Sequence, residues 1–362
     1  VTVVFAGGGT GGHLYPAIAI ADALRERAAQ VAFIGTADRL EASIVPKAGY
    51  SLHTIAGHSL PRRFSLQLFR AIALNLMGTV QSLRLLAAER PDLVVATGGY
   101  VCFPVALAAR IRRLMRLSKS PVVLLEPNAA LGLTNRLLTP MVDEVWGLES
   151  TGVPIRASLR RLPARDQAAL RLELDPSCKT LVAVGGSQGA RSINDALLDL
   201  TEKGALPPGW QVFHLTGSDD YARVQTILKN RPLATGSPHV VRAYLDDMAD
   251  AYAVADLLLT RAGASTLGEL AALGKPSILV PYPFAAEGHQ DGNAARFEAA
   301  GAAVVLADRD LQAGRLPGVL LRTTAPVPLE QLTESARRLQ GSDPIRAILA
   351  RIDALAPRKS ER

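Results

Sequence analysis

Val1-Thr-Val-Val-Phe-Ala-Gly-Gly-Gly-Thr-Gly-Gly-His13 is the stretch whose reading decides the fold. A short β-branched run enters a glycine cluster, and an apolar helical pattern follows from about residue 14 to residue 27, which reads as strand, phosphate-type loop, helix. Side chains at positions 7, 8, 9, 11 and 12 would hold an anion away from the backbone amides. Glycine leaves those donors open, and the helix turns its positive end toward them. Thr180-Leu-Val-Ala-Val-Gly-Gly-Ser-Gln-Gly189 repeats the design, with a helix expected to begin near Ala190. Two such units in one chain predict an α/β protein with two halves facing each other.

Gly7-x-Gly9-x-x-Gly12 formally matches a dinucleotide fingerprint, but in so dense a glycine cluster the match is cheap. A dinucleotide site needs an acidic residue closing the second strand. Here Val31-Ala-Phe-Ile34 runs into Gly35-Thr-Ala, and Asp38 comes late. Neither loop carries the Gly-Lys-Ser/Thr ending of a nucleoside-triphosphate loop. Spacing alone leaves both phosphate or nucleotide binding and a merely tight strand-to-helix turn open.

The 362 residues are comfortable for two domains of ordinary size. A hydrophobic fraction of 48% against 20% charged residues describes a folded chain. Cys102 and Cys178 are the only cysteines and stand in apolar contexts, which argues against a disulfide framework and for a reducing compartment. No secretory signal is expected, since the first apolar run is short and passes into the glycine loop. The uncharged stretch 93–109 is broken by Gly98-Gly99 and Pro104, so no bilayer span is expected.

A net charge of +7 implies an acidic partner. Residues 60–77 mix Arg62, Arg63 and Arg70 with bulky apolar side chains and no acid, and Arg110, Arg112, Arg113, Arg116 and Lys119 follow in the same half. Near an anionic leaflet each such charge contributes on the order of 1 kcal/mol, which makes an anionic membrane surface a candidate partner. The alternative is that Leu66, Phe69, Ala73 and Leu76 form a buried stripe with the arginines in water opposite. Nucleic acid is disfavoured, because base-stacking aromatics are scarce, at 5%.

Further along, strands are expected at 31–34, 93–96 and 122–125, and helices at 38–47 and 66–89. Continuous apolar runs separated by helices indicate a parallel sheet covered on both faces. Ligands of such sheets bind beyond the carboxyl ends of the strands, which places Gly98, Glu126 and Asn128 beside His13. Composition shifts between Ser150 and Pro163. The expected domains are therefore 1–156 and 157–342, with an amphipathic helix at about 343–356 crossing back to brace the first. In the second half, strands are expected at 181–184, 212–215, 239–241, 256–259 and 277–280. Helices are expected from 192, from 219 and near 247–254. After Thr260-Arg-Ala-Gly-Ala-Ser-Thr-Leu-Gly-Glu269, Ser265 or Thr266 is expected to cap a helix with Glu269 in its first turn.

No cysteine pair, His-x-x-x-His or close carboxylate cluster suits a metal, and no Gly-x-Ser-x-Gly elbow suggests acyl hydrolysis. Glu269 can accept from two vicinal hydroxyls, as on ribose, or serve as a capping-box glutamate. His13 can act as general base, donate to phosphate, or be structural.

Gly8-Gly-Thr-Gly-Gly-His-Leu-Tyr-Pro16, Gly35-Thr-Ala-Asp-Arg-Leu-Glu41, Gly98-Gly-Tyr100, Gly185-Gly-Ser-Gln-Gly-Ala190, Arg261-Ala-Gly-Ala-Ser-Thr266 with Glu269, and His289-Gln-x-x-Asn-Ala294 occur together in this order. Over nearly its whole length the chain resembles the MurG family of glycosyltransferase family 28. The resemblance implies a GT-B fold of two Rossmann-like domains and peripheral attachment to the cytoplasmic face of the bacterial plasma membrane. It also implies inverting transfer of N-acetylglucosamine from UDP-N-acetylglucosamine to the 4-hydroxyl of undecaprenyl-pyrophosphoryl-MurNAc-pentapeptide, in peptidoglycan synthesis, with no metal or other cofactor.

Carried over by position, the resemblance assigns Ser187, with Gln188 beside it, and Arg156 to the donor diphosphate, and Leu245 to the uracil. Glu269 falls to the ribose, and Ala264, Ser265, Thr266, Leu267 and Gly268 to the helix start beside the phosphate. Gln290 and Asn128 orient the sugar. Thr10, Gly11 and Gly12 face the donor cleft and the acceptor diphosphate. His13 is the preferred catalytic base, and Glu126 the second. The chain departs from the family pattern at Leu125-Glu-Pro-Asn128, at Val153-Pro-Ile-Arg156, and at Cys102, where the family has serine. Two rivals remain: a UDP-N-acetylglucosamine 2-epimerase of the same architecture, and a basic non-catalytic membrane- or nucleic-acid-binding module.

Overall fold

Each glycine loop follows the first strand of its own six-stranded, all-parallel sheet. The structure is a computed structural model. It describes residues 1–8, 11–59, 65–128, 131, 133–147, 150–186, 189–230, 239–285, 288–339, 341 and 343–356. The chain divides into two compact units, Val1–Arg156 with Ser342–Arg362, and Ala157–Gly341.

In the first unit the order is β1 (Thr2–Ala6), α1 (Gly11–Glu26), β2 (Gln30–Gly35), α2 (Leu40–Lys47), β3 (Ser51–Thr54), α3 (Leu66–Glu89), β4 (Leu93–Ala96), α4 (Cys102–Leu114), β5 (Val122–Glu126), α5 (Leu133–Leu138) and β6 (Glu144–Gly147). The second unit runs α6 (Arg165–Arg171), β7 (Lys179–Val184), α7 (Arg191–Glu202), β8 (Trp210–Leu215), α8 (Tyr221–Asn230), β9 (His239–Arg242), α9 (Ala249–Val254), β10 (Ala255–Thr260), α10 (Ala264–Leu273), β11 (Ser277–Leu279), α11 (His289–Ala299), β12 (Ala303–Val305), α12 (Asp308–Gln312), α13 (Leu316–Thr323) and α14 (Pro326–Arg338). The closing helix, α15 (Pro344–Leu355), belongs to the first unit.

Strand alternation explains how one sheet serves two cores. Val3 and Phe5 of β1 join Leu14 and Ile20 of α1 on one face, while Val4 and Ala6 join Cys102 and Val105 of α4 on the other. Ile345, Ile348, Leu349 and Ile352 of α15 complete the first of these clusters. Each side chain of that size contributes roughly 1.5–3 kcal/mol on burial, enough to hold α15 on the first unit. Asp343 starts it, accepting a hydrogen bond from the Ile345 N–H at 2.9 Å. In the second unit, Leu181 and Ala183 of β7, Leu257 and Leu259 of β10, and Ile193 and Leu197 of α7 share one core.

Two local expectations are corrected, and one alternative left open by the sequence is decided. α1 begins at Gly11, inside the glycine cluster, rather than at residue 14. α10 takes Gly263 as its N-cap, so Ser265 and Thr266 lie within the first turn, past the cap position, and leave Glu269 beyond it. Gly263 already has the extended backbone an N-cap needs, at φ −71 and ψ 141, and Glu269 is drawn instead to Tyr252. The alternative decided concerns α3, which does not bury the Leu66–Phe69–Ala73–Leu76 stripe. All four are exposed, and its buried residues are Ala71, Gly78, Thr79, Ser82 and Leu86. The stretch 93–109 is β4, a glycine turn and the start of α4, with Pro104 in the first turn where a missing N–H costs nothing. Among the described residues α3 is the one helix long and apolar enough to cross a membrane by length and composition.

Candidate active site

Both sheets share one strand order, β3-β2-β1-β4-β5-β6 and β12-β11-β10-β7-β8-β9. The order reverses between β1 and β4 in the first unit, and between β7 and β10 in the second. At such switch points the loops leaving adjacent strands diverge and open a crevice at the carboxyl ends. The glycine motifs occupy both pairs of loops.

In the first unit, Gly11, Gly12 and His13 form the opening turn of α1, where a helix offers N–H groups it does not use itself. Gly9 and Thr10 lie outside the described residues. The half-buried His13 ring rests on the Gly98–Gly99 turn after β4, where Gly98 has φ +103. That turn is tied down by Cys102, whose Sγ accepts from the Gly98 N–H at 3.1 Å and lies 3.0 Å from the carbonyl of Ala6, at the end of β1. Burial pushes the Cys102 thiol up to about 12, so it stays protonated and able to donate. Cys102 thus bridges the turn after β4 to the end of β1.

Glu126 ends β5 and is buried. Its Oε1 accepts from the Asn128 backbone N–H at 2.9 Å and from Asn128 Nδ2 at 2.8 Å, and its Oε2 accepts from Asn135 Nδ2 at 2.6 Å. Three donors on one carboxylate make it an anchor for the Asn128 amide. Arg156 lies with its guanidinium over the Tyr15 ring, 5.1 Å from the centroid, beside the start of α1. His13, Gly98, Glu126, Asn128 and Arg156 all belong to this unit.

The second unit builds its site around α10. Glu269 is buried and accepts from the Tyr252 hydroxyl at 2.5 Å. Ala264, Leu267 and Gly268 are buried along the helix start, while Ser265 and Thr266 are half-buried. The peptide before the helix is held from both sides by α11. Gln290 Oε1 accepts from the N–H groups of Ala262 at 3.1 Å and Tyr282 at 2.9 Å, and Asn293 Nδ2 donates to the Ala262 carbonyl at 3.1 Å. Leu245 is half-buried in the loop from β9 to α9. Ser187 and Gln188 lie outside the described residues. Their loop continues at Gly189, whose φ of +82 sets its backbone against Thr216.

Beneath these loops a buried ion pair fixes the framework. Arg261 Nη1 meets Asp308 Oδ1 at 2.6 Å, and Ser192 donates to the same oxygen at 2.7 Å. Burial pushes the Asp308 carboxyl up, but the Ser192 and Arg261 hydrogen bonds outweigh it and hold the group below the usual range. This joins the start of α7, the end of β10 and the start of α12. Among the described residues, no three His, Cys, Asp or Glu side chains gather in a way that could hold a metal ion. Sequence reasoning did not single out Asn135, Tyr252 or the Ser192–Arg261–Asp308 group. The only advance sign of Asn135 was an amide in an apolar helical segment.

Residues 3–146 match the N-terminal domain of glycosyltransferase family 28, and residues 180–343 match its C-terminal domain. A Halothermothrix orenii protein named UDP-N-acetylglucosamine–N-acetylmuramyl-(pentapeptide) pyrophosphoryl-undecaprenol N-acetylglucosamine transferase is 38% identical over 93% of this chain and 92% of its own. The chain belongs to glycosyltransferase family 28, in its MurG branch. A Chlorobium luteolum protein of the same name is also 38% identical, over 98% of this chain and 99% of its own. The crystal structure of Acinetobacter baumannii MurG matches with a TM-score of 0.74 at 27% identity, covering 98% of this chain and 99% of that one. With its two six-stranded parallel units, this family 28 member has the two-domain GT-B fold. The Staphylococcus aureus MnaA–UDP structure shares that fold at a TM-score of 0.63 and 12% identity, covering 97% of this chain and 96% of its own.

Proposed function

We propose that the chain transfers N-acetylglucosamine from UDP-N-acetylglucosamine to the 4-hydroxyl of undecaprenyl-pyrophosphoryl-MurNAc-pentapeptide, inverting the anomeric centre. The observation that carries this reading is the near full-length similarity to transferases bearing that name, joined to glycine loops at both switch points. UDP is assigned to the second unit. The buried Glu269 carboxylate takes the ribose hydroxyls, and the Leu245 backbone takes the uracil. The first turn of α10 takes the diphosphate, with Ser187, Gln188 and Arg156 as further contacts. Gln290 spends its carbonyl on two backbone N–H groups, which leaves its amide nitrogen to donate to a sugar hydroxyl.

The acceptor is assigned to the first unit, at Thr10, Gly11 and Gly12, with the Asn128 amide orienting a sugar. His13 takes the proton from the acceptor oxygen as that oxygen attacks the anomeric carbon from the side opposite UDP. Negative charge then grows on the leaving diphosphate. Prearranged N–H groups and the positive end of α10 stabilise it, as they require no reorganisation at the moment of reaction. Glu126, engaged by three donors, suits holding Asn128 better than carrying the proton.

Attachment to an anionic membrane surface is supported by α3. Leu66, Phe69, Ile72, Leu76, Met77 and Val80 are exposed on it, Leu66 at 87%, with exposed Arg70 and Arg84 among them. An amphipathic helix of this kind lies in the interface plane with its apolar side chains among the acyl chains. Leu114, Met115 and Leu117 at the end of α4 are exposed too, beside Arg110, Arg116 and Lys119. On this reading the enzyme works peripherally at the cytoplasmic face of the plasma membrane, where a lipid-linked acceptor is presented, with no role for nucleic acid. Incubation with UDP-N-acetylglucosamine alone and with a short-chain lipid-linked acceptor tests the reading. Transfer requiring the acceptor supports it, whereas formation of the manno isomer from the nucleotide sugar alone replaces it with the epimerase.

A further inference from the structure

The Gly35–Glu41 motif contains a buried acid that the mechanism above does not use. Glu41 stands in the first turn of α2 and is 0% exposed. Its Oε1 accepts from the Thr36 backbone N–H at 3.0 Å and from the Thr36 hydroxyl at 2.7 Å. The side chain fills space that two glycines leave for it. A Cβ at Gly35, the last residue of β2, would stand 2.6 Å from Glu41 Cγ, and one at Gly8, in the loop after β1, would collide with all three carboxyl atoms. The Gly7 N–H donates to the Ile34 carbonyl at 3.2 Å and brings the two strand ends together at this point.

Putting a carboxylate out of water costs several kcal/mol unless hydrogen bonds and favourable dipoles offset it. Here Thr36 supplies two bonds and the α2 N-terminus supplies the dipole. Nothing in sheet packing asks for such a group at this place, where an apolar side chain would pack without the desolvation cost. What the carboxylate does is wedge the glycine loop against the end of β2.

We propose that Glu41 is a positioning residue for the acceptor side of the site. It joins the turn at Thr36 to the loop at Gly8, and so fixes where the first turn of α1, with Gly11, Gly12 and His13, presents itself to the acceptor. The inference rests on the functional reading above for its kinetic consequence, but not for its structural one. Misplacing a reacting group by about 1 Å costs on the order of 100-fold in rate, so a loosened loop should be felt in turnover.

The test compares wild type, Glu41→Gln, which keeps the shape but loses the charge and one acceptor, and Thr36→Val, which removes only the hydroxyl bond. Three things are measured: hydrogen exchange of peptides spanning 5–14 and 183–192, protection against heat by UDP, and steady-state kinetics toward nucleotide sugar and a short-chain lipid-linked acceptor. Both variants should exchange faster at 5–14 and as wild type at 183–192, and keep UDP protection. They should also lose about 10- to 100-fold in kcat/KM for the acceptor while the KM for the nucleotide sugar stays within about twofold. Unchanged exchange at 5–14 in both variants, or a KM for the nucleotide sugar raised as much as that for the acceptor, overturns the proposal. Wild type lacking transfer altogether removes the functional reading, and the exchange at 5–14 then decides Glu41 alone.

Discussion

The imidazole of His13 lies against the α-carbon of Gly98, so closely that a Cβ there would stand 2.5 Å from Nδ1 and 2.6 Å from Cε1. The turn that carries Gly98 has φ +103, a conformation L side chains rarely adopt. One position thus combines a backbone demand with a spatial one, and both serve the ring proposed as base.

Gly98→Ala meets both demands at once. Backbone strain of about 1–3 kcal/mol and displacement of the His13 ring should reduce kcat on the order of 100-fold, while UDP still protects the protein against heat. Steady-state kinetics with a parallel thermal-shift measurement check this. Near-normal turnover would show that the ring need not sit where it does.

The Asn135–Glu126 contact gives a pH-dependent prediction. Asn135→Asp puts a second carboxylate where an amide now donates at 2.6 Å. Two such groups cannot both ionise cheaply, so the pair retains one proton with a raised apparent pKa. Below that value the shared proton preserves the bridge, and above it repulsion pushes Asn128 out of place. The variant should therefore lose activity and stability as pH rises from about 5 to 8, relative to wild type, in a pH series of turnover and Tm.

A buried histidine pair makes the second unit acid-sensitive. His214 Nε2 lies 2.9 Å from Asn194 Oδ1 and its Nδ1 3.2 Å from His239 Nε2. Burial lowers both pKa values, with the neighbouring His239 adding to the effect at His214, and His239 is brought down to about 4. Asp220, bonded to Asn194 and Arg223, acts in the opposite direction on His214. Both rings are charged in the unfolded chain below the usual histidine value of about 6.5 but neutral in the folded one. Stability is therefore full above that pH and falls as pH drops toward 4, by about 3 kcal/mol from His239 alone, with His214 adding in the same direction. Thermal unfolding at pH 7 and pH 4.5 should show the loss, and His239→Gln should shrink the difference. An unchanged difference would assign the acid sensitivity to the carboxylates.

Cysteine chemistry offers a direct check on the turn beneath His13. Cys102 is fully buried with its thiol pushed up to about 12, whereas Cys178 is only half-buried. A thiol reagent should label Cys178 alone in the native protein and both in denaturant. Cys102→Ser should preserve the bridge between Gly98 and Ala6, and Cys102→Ala should cost about 1–3 kcal/mol by leaving a buried donor unpaired.

How far the sequence could be read follows from how each element is packed. The central strands were legible because β1, β4 and β5 are covered on both faces and are almost wholly apolar. Edge strand β3, with no fully buried residue, was not. The two glycine loops declared themselves through residue type alone. The direction α3 faces did not, because an apolar stripe has the same spacing against a sheet as against a membrane. The start of α10 was misplaced because Gly263, Ser265 and Thr266 are all acceptable caps in isolation. Tyr252 and Glu269 are 17 positions apart, and only the fold brings them together.

The most direct measurement of the central claim is transfer of labelled sugar from UDP-N-acetylglucosamine to a short-chain analogue of undecaprenyl-pyrophosphoryl-MurNAc-pentapeptide, with the new linkage resolved by NMR. The account predicts a β-linked disaccharide formed only when both substrates are present, and loss of transfer in Glu269→Ala together with loss of UDP protection against heat. An α-linked product, or release of a free sugar isomer without acceptor, would contradict it.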